Sequence, residues 1–417
     1  MTTKALPLAG VRVLDLTRIL AGPWATQNLA DLGAEVIKIE KPDGGDDTRQ
    51  MGPPFVRDAA TGEDIDASYF LSCNRNKESV AIDIATPQGQ RLIRALAVKC
   101  DVLVENYKVG GLARYGLDYA TLHAELPNLV YCSITGFGQT GPYAQRAGYD
   151  YLIQGMGGLM SVTGEPDGAP GGGPQRAGVA LADILSGMYA ALAIVAALRH
   201  RDQGGGGQHI DIAMLDVQAA VLANQAMNYL TTGRVPQRMG NGHPNIVPYQ
   251  SFRAADGYLI LAVGNDAQFV KMAQAMGRPE WGEDPRFRTI KLRVANRGEL
   301  IPMLESLIAT RRIDEWVAAM EEVGVPCGPV NTIDRVFSDP QLRSRGVRIE
   351  LPHSRAGTVP SVANPTHFSE TPVCYRSGPP ALGEHTAEVL RRMLGADDDA
   401  LLALSQQHVI KDATLCP

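Results

Sequence analysis

Between residues 11 and 134 the chain alternates short runs of branched apolar residues with amphipathic stretches, and this rhythm restricts the fold more than any other feature of the sequence. VRVLDL at 11–16, AEVIKIE at 34–40, SVAIDI at 79–84, DVLVE at 101–105 and LVYCSI at 129–134 each predict a strand. A helix is predicted over 23–32, stopped by Gly33. Another is predicted over 86–99, where Thr86 is a natural cap and Pro87 takes the first helical position. Repeated strand–helix units imply an α/β fold with a Rossmann-like large domain around a mostly parallel sheet. Ligands of such sheets gather at the carboxyl ends of the strands, which here carry Thr17 and Arg18, Lys41, Asn106 and Tyr107, and Thr135 and Gly136.

After residue 224 the rhythm breaks. Residues 249–262 read as a hairpin turning at Ala255-Asp256-Gly257, and helical periodicity follows at 267–276, 296–309 and 313–323. The expected organisation is a large domain begun over 1–225, a smaller α+β domain over 226–335, and a C-terminal part, 336–417, that returns to the large domain. Glycine-rich stretches at 164–178 and 204–207 fit neither a Walker loop nor the GxGxxG fingerprint, and the second reads as a helix-to-strand turn.

Composition removes several function classes. A net charge of −6 over 417 residues, with no basic block, gives nucleic acid nothing to bind. The most apolar run, 184–198, is shorter than the roughly 20 residues of a membrane span and predicts a buried helix, and residues 1–9 show no signal-peptide pattern. Six cysteines without CxxC pairs and eight histidines without ligand spacing argue against a disulfide framework and against a metal site. A reducing cytoplasm is the expected compartment.

GxSxG and HExxH are absent, so the chemistry falls to carboxylates and to anion-binding groups at strand ends. Asp183, in GVALADILSGM at the start of the apolar run, has two readings. It can cap the helix, where its charge suits the helix dipole. It can also be a nucleophile, ionised at neutral pH and able to attack a thioester without a general base.

The ordered segments VLDLTRILAGPWATQNLADLGAEVIKIEKP, NRNKESVAIDI, VENYKVG, SITGFGQTGPYAQRAGYD, RAGVALADILSGM, GVPCGPVN and PPALGEHT resemble the family III CoA-transferases (the CaiB/BaiF family) almost from end to end. The resemblance implies an interlocked homodimer and transfer of coenzyme A from an acyl-CoA to a free carboxylic acid. It makes Asp183 the nucleophile, carrying first an acyl anhydride and then a CoA thioester; coenzyme A is substrate and covalent intermediate, and no tightly bound cofactor is expected. Matched to the formyl-CoA transferase branch, the coenzyme A contacts fall on Leu20 and Ala21, Lys41, Ile82, Asp83, Ile84 and Ala85, Asn106, Tyr107 and Lys108, Arg114, and Ile134, Thr135, Gly136 and Phe137. Leu20, Lys41 and Thr135 stand where that branch has Gln, Arg and Lys. The α-methylacyl-CoA racemases of the same superfamily are the alternative, but their AGHD motif reads Ala147-Gly148-Tyr149-Asp150 here, and a phenol with a pKa near 10 is a poor base. A further alternative is a transferase for another acid. GDDTR, MGPPF, QRAGYD, IVPYQ and LRVANRGEL resemble the succinyl-CoA–glutarate branch, which implies short dicarboxylic substrates. A distal carboxylate needs a cation, for which Arg18, Arg49, Arg146, Arg176 and His243 are candidates and Arg49 and His243 the ones favoured.

Overall fold

Strand side chains alternate between faces, so a sheet covered on both sides needs apolar residues at every position. In the computed structural model, which describes residues 5–412, the middle of each predicted strand supplies apolar residues to both faces, while Asp15, Lys38, Glu40 and Lys77 are buried as charges. The strands are β1 (Arg12–Asp15), β2 (Glu35–Glu40), β3 (Lys77–Ile82), β4 (Val102–Glu105) and β5 (Val130–Thr135), joined by β6 (His209–Ala213) and β7 (Ile410–Lys411). The sheet runs β7-β3-β2-β1-β4-β5-β6, and every pairing is parallel except that of β7 with β3. Val13, Val36, Val102 and Val130 enter one core layer, while their successors Leu14, Ile37, Leu103 and Tyr131 enter the other. The α/β class and the mostly parallel sheet expected from the alternation are borne out.

Helix α1 (Ala21–Asp31) follows β1, and α2 (Pro87–Ala97) follows β3, with Thr86 Oγ1 accepting the Gly89 N–H at 3.0 Å. A short helix α3 (Asp150–Met156) precedes α4 (Leu181–Asp202), which contains the apolar run. Helix α4 is long and apolar enough to cross a membrane by composition, but Ala182, Ser186, Gly187, Ala190, Ile194 and Ala197 turn one face into the core. It lies so close to α1 that a methyl group on Gly187 would come within 2.5 Å of the Ala21 carbonyl oxygen.

The chain divides into two compact units. The larger comprises Met1–Leu159, Ala177–Met227 and Gln341–Pro417, and the smaller Met160–Arg176 and Asn228–Pro340. The smaller unit holds a three-stranded antiparallel sheet, Tyr249–Ala254, Gly257–Ala262 and Cys327–Pro329, packed around Phe252, Leu259, Phe269 and Trp316. Segment Met160–Arg176 belongs to it because Arg238 bonds the Glu165 carbonyl oxygen and pairs with Asp167, and the Gly240 N–H bonds the Gly164 carbonyl oxygen. In the C-terminal part, Arg348–His353 and Gly357–Val362 form a hairpin, and β7 closes the sheet edge beside β3. The five described cysteines are free, and Cys416 lies outside the described residues.

Beneath the loop from β1 to α1 sits a cluster of wholly buried charges. Lys77 Nζ donates to Asp15, Asn74 and the Pro23 carbonyl oxygen, and Lys38 Nζ donates to Asp46 and the Thr17 carbonyl oxygen, at 2.9–3.1 Å. Replacing Lys77 with Met leaves the Asp15 carboxylate buried beside fewer donors, an arrangement that costs about 3–5 kcal/mol. Urea unfolding of Lys77→Met is expected to show that loss in full, and a loss below about 1 kcal/mol would mean the cluster is not what holds the loop.

Candidate active site

The carboxyl ends of β1, β4 and β5 and the N-termini of α1 and α4 enclose a cavity of about 220 Å³. Asp183 lines it together with Leu20, Ala21, Asn106, Tyr107, Lys108, Ile134, Thr135 and Gly136, all residues singled out in the sequence. Two backbones meet in its wall: a methyl group on Gly136 would come within 2.5 Å of Gly148 Cα. Ile19, also in the wall, is held at φ 71°, a left-handed conformation that β-branched residues avoid.

Asp183 occupies the third position of α4, and another residue caps that helix. Ala180 at the cap position offers no side-chain acceptor. Asp150, on α3, supplies it: its Oδ1 accepts the N–H groups of Ala182 and Asp183 at 2.9 and 3.3 Å. Gln154 donates to the other Asp150 oxygen at 2.7 Å and accepts the Ala177 N–H at 2.9 Å, so the turn entering α4 is clamped from one side. The capping reading of Asp183 is thereby corrected, because its carboxylate is left free for chemistry. No group among the described residues donates a hydrogen bond to that carboxylate. Burial, with the Asp150 charge beside it, pushes the Asp183 carboxyl up to about 7, so it is not fully ionised at neutral pH as its type alone suggests.

Sequence reasoning passed over Tyr69, whose phenol is pushed up to about 12 by burial and then by the charge of Asp183. It also passed over the C-terminal lining of a second cavity of about 720 Å³, where Leu402, Gln406, His408 and Lys411 join Lys41 and Asp83. No local pattern marks these residues, because they reach the cavity only through the pairing of β7 with β3.

The remaining expected contacts are placed as follows. Lys41 pairs with Asp47 at 3.0 Å. Asn106 uses its side chain on both backbone polar groups of Arg18, at 2.7 and 2.9 Å. Thr135 Oγ1 accepts the Gly138 N–H. Ile82 is buried in the core, with Ile84 packed against it, and Ala85 donates its N–H to Asp83. Arg114 stacks on Tyr115, and Phe137 lies beneath Arg146. Among the described residues no cluster of His, Cys, Asp and Glu could hold a metal ion.

The expectation for Arg49 is corrected. Its guanidinium is 3% exposed and donates to Glu40 and Asp66 at 2.7–3.0 Å and to the Pro380 carbonyl oxygen, over the ring of Phe70. All its donors serve the interior, and none faces the cavity of Asp183. His243 belongs to the smaller unit, where its Nδ1 accepts the Asn245 N–H. Burial and the neighbouring Arg297 lower its pKa, so it offers a neutral donor and not a cation.

A buried carboxylate freed from capping duty thus stands in a cavity at the carboxyl edge of a parallel sheet. The family described as CoA-transferase family III matches residues 8–386, and the chain belongs to that family. It is 51% identical over 393 residues to the succinate–glutarate CoA-transferase of Agrobacterium fabrum, covering 94% of this chain and 97% of that one. It is 43% identical over 404 residues to the succinyl-CoA:glutarate CoA-transferase of Homo sapiens, covering 97% and 90%. The crystal structure of a CaiB/BaiF family protein from Brucella suis superposes with a TM-score of 0.82 at 49% identity, over 94% of this chain and all of that one.

The raised pKa of Asp183 has a testable sign. If Asp183 is the attacking group, only its ionised form reacts, and kcat/KM is expected to fall below pH about 7, tenfold per unit. Asp150→Asn keeps an acceptor for the two amides but removes the charge, and is expected to move the acid limb to lower pH. An acid limb unmoved in Asp150→Asn would detach that charge from Asp183.

Proposed function

We propose that the protein transfers coenzyme A from succinyl-CoA to glutarate or a similar short dicarboxylate, using Asp183 as nucleophile. The observation that carries the reading is the uncapped Asp183 carboxylate, set beside the family's coenzyme A segments in a chain so similar to succinate–glutarate transferases. Asp183 attacks the donor thioester and expels CoA thiolate, leaving an aspartyl–acyl anhydride. The thiolate attacks that anhydride at the aspartyl carbonyl, forming the Asp183–CoA thioester and freeing succinate. Glutarate attacks the thioester and CoA leaves again. CoA then attacks the glutaryl carbonyl of the new anhydride, releasing glutaryl-CoA and regenerating the carboxylate. Each step exchanges one leaving group for one nucleophile, which divides a difficult transfer into easier ones. Leu20, Ala21, Asn106 to Lys108 and Ile134 to Phe137 are assigned to coenzyme A near the thioester, with Lys41 and Ile82 to Ala85 further along the ligand, and Arg114 with them.

Racemisation is disfavoured. Tyr149 stands where racemases carry His, and it is 69% exposed, whereas a proton-abstracting base needs a positioned group in the site.

Incubation with succinyl-CoA and glutarate is expected to yield glutaryl-CoA by mass spectrometry, and Asp183→Ala to yield none while keeping the wild-type circular dichroism. Hydroxylamine added with succinyl-CoA alone is expected to modify Asp183. Near-normal turnover by Asp183→Ala ends the covalent mechanism.

The assembly is assigned as a homodimer with interlocked subunits. Met188, Tyr189, Leu192 and Val195 leave an apolar stripe on α4 that is 37–66% exposed, and a stripe of that kind on a core helix calls for a partner surface. The free cysteines suit a reducing compartment such as the cytoplasm. Light scattering at micromolar concentration is expected to give twice the chain mass, and tagged subunits are expected not to exchange without unfolding. A monomer, or rapid exchange, contradicts the assignment.

A further inference from the structure

With Arg49 committed to the interior, the cation that would receive a substrate's distal carboxylate must lie elsewhere, and the cavity of Asp183 contains one held over two aromatic rings. The Arg146 guanidinium carbon lies 4.6 Å from the ring centroid of Tyr143 and 5.2 Å from that of Phe137. Ring faces attract the charge of a guanidinium without occupying its in-plane N–H groups. Among the described residues no carboxylate pairs with Arg146, so its donors are positioned and unspent. Its chain neighbours Ala147, Gly148 and Tyr149 continue the cavity wall to Asp150, which caps the helix of Asp183. The contact of Gly148 with Gly136 fixes that wall against the end of β5.

The other cations are differently engaged. Arg18 and Lys41 share Asp47, at 3.2 and 3.0 Å. Lys108 is a single point charge on the loop after β4, beside Asn106 and Tyr107. Among the described arginines lining the cavity, Arg18 and Arg146, only Arg146 has no carboxylate partner, and it sits on the wall that leads to Asp183.

We propose that Arg146 binds the distal carboxylate of the dicarboxylic acyl group, in donor and acceptor alike, and thereby sets the preference for dicarboxylic over monocarboxylic acids. The proposal rests on the CoA-transfer reading above and names the residue that gives it specificity. A planar guanidinium meets a carboxylate through paired N–H···O bonds. With a monocarboxylic acid of equal length those donors stay unpaired. The expected discrimination is about ten- to a hundredfold, the size of one charge-assisted hydrogen-bond contact.

The experiment is an internal competition. Glutarate and valerate are supplied together with one donor, and the ratio of glutaryl-CoA to valeryl-CoA is read by mass spectrometry, so the donor half-reaction cancels. Wild type, Arg146→Gln and Arg146→Lys are compared, and the affinity of each for free CoA is measured by calorimetry. The ratio is expected to favour glutaryl-CoA in the wild type and to fall about ten- to a hundredfold in Arg146→Gln. It is expected to be intermediate in Arg146→Lys, with CoA affinity within about twofold throughout. A wild-type preference that survives Arg146→Gln overturns the assignment alone. So does a weakened CoA affinity with the product ratio unchanged, which would place Arg146 on a CoA phosphate. A wild type that uses both acids equally overturns the dicarboxylate reading itself, and this proposal with it.

Discussion

Four charges without access to water underlie the loop on which the cavity depends. Lys38, Lys77, Asp15 and Asp46 are wholly buried, and together they are neutral. Burial alone would favour the uncharged acids, but Lys77 and Lys38 outweigh it and hold the Asp15 carboxyl below its ordinary value; Lys38 and the Thr48 donors likewise hold Asp46 down at about 2. The cluster bonds backbone as well as side chains. Lys38 takes the Thr17 carbonyl oxygen, and Asp46 takes the Ile19 N–H at 3.2 Å. A β-branched residue at φ 71° persists only where its surroundings leave it no alternative, and these bonds supply that confinement. Leu20 and Ala21 follow directly, so their part of the cavity wall inherits its position from charges buried beneath it. A second layer, Glu40 with Arg49, Asp66 and Ser79, extends the network toward Pro380 and Gly383 and ties the C-terminal part to the sheet.

Much of this fold was legible in local pattern. Val–Leu, Val–Ile and Val–Tyr pairs in successive strands already describe a sheet buried on both faces, and Thr86-Pro87 and Ala255-Asp256-Gly257 mark a helix start and a hairpin through their own backbone preferences. What was not legible depends on partners distant in sequence. Nothing within Met160–Arg176 indicates that Arg238 and Gly240 hold it in the smaller unit. Nothing within Ile410–Lys411 indicates a strand, since two residues carry no periodicity and become one only beside Ala81 and Ile82.

The site divides in the same way. Asp183 could be found from its motif, but whether it caps or reacts could not, because the deciding acceptor is Asp150 on another helix. GDDTR misled for a related reason. A shared motif marks residues that matter without saying whether they touch ligand or core, and here Asp46, Thr48 and Arg49 all turn inward. Arg146 lay in an equally suggestive stretch, and its place over two rings, with no carboxylate partner, is visible only in the fold.

Asp150 does two opposed things to its neighbour. As an acceptor for the amides of Ala182 and Asp183 it fixes the helix end that presents the Asp183 carboxylate, and as a charge it resists that carboxylate's ionisation. The resting enzyme at neutral pH therefore holds a mutual repulsion that its own fold created. In the mechanism proposed above, acylation of Asp183 erases one of the two charges, and so does the thioester that follows. On that mechanism, tension in the free protein is relaxed in the covalent intermediates and rebuilt when product departs, so that turnover would load and unload one helix terminus.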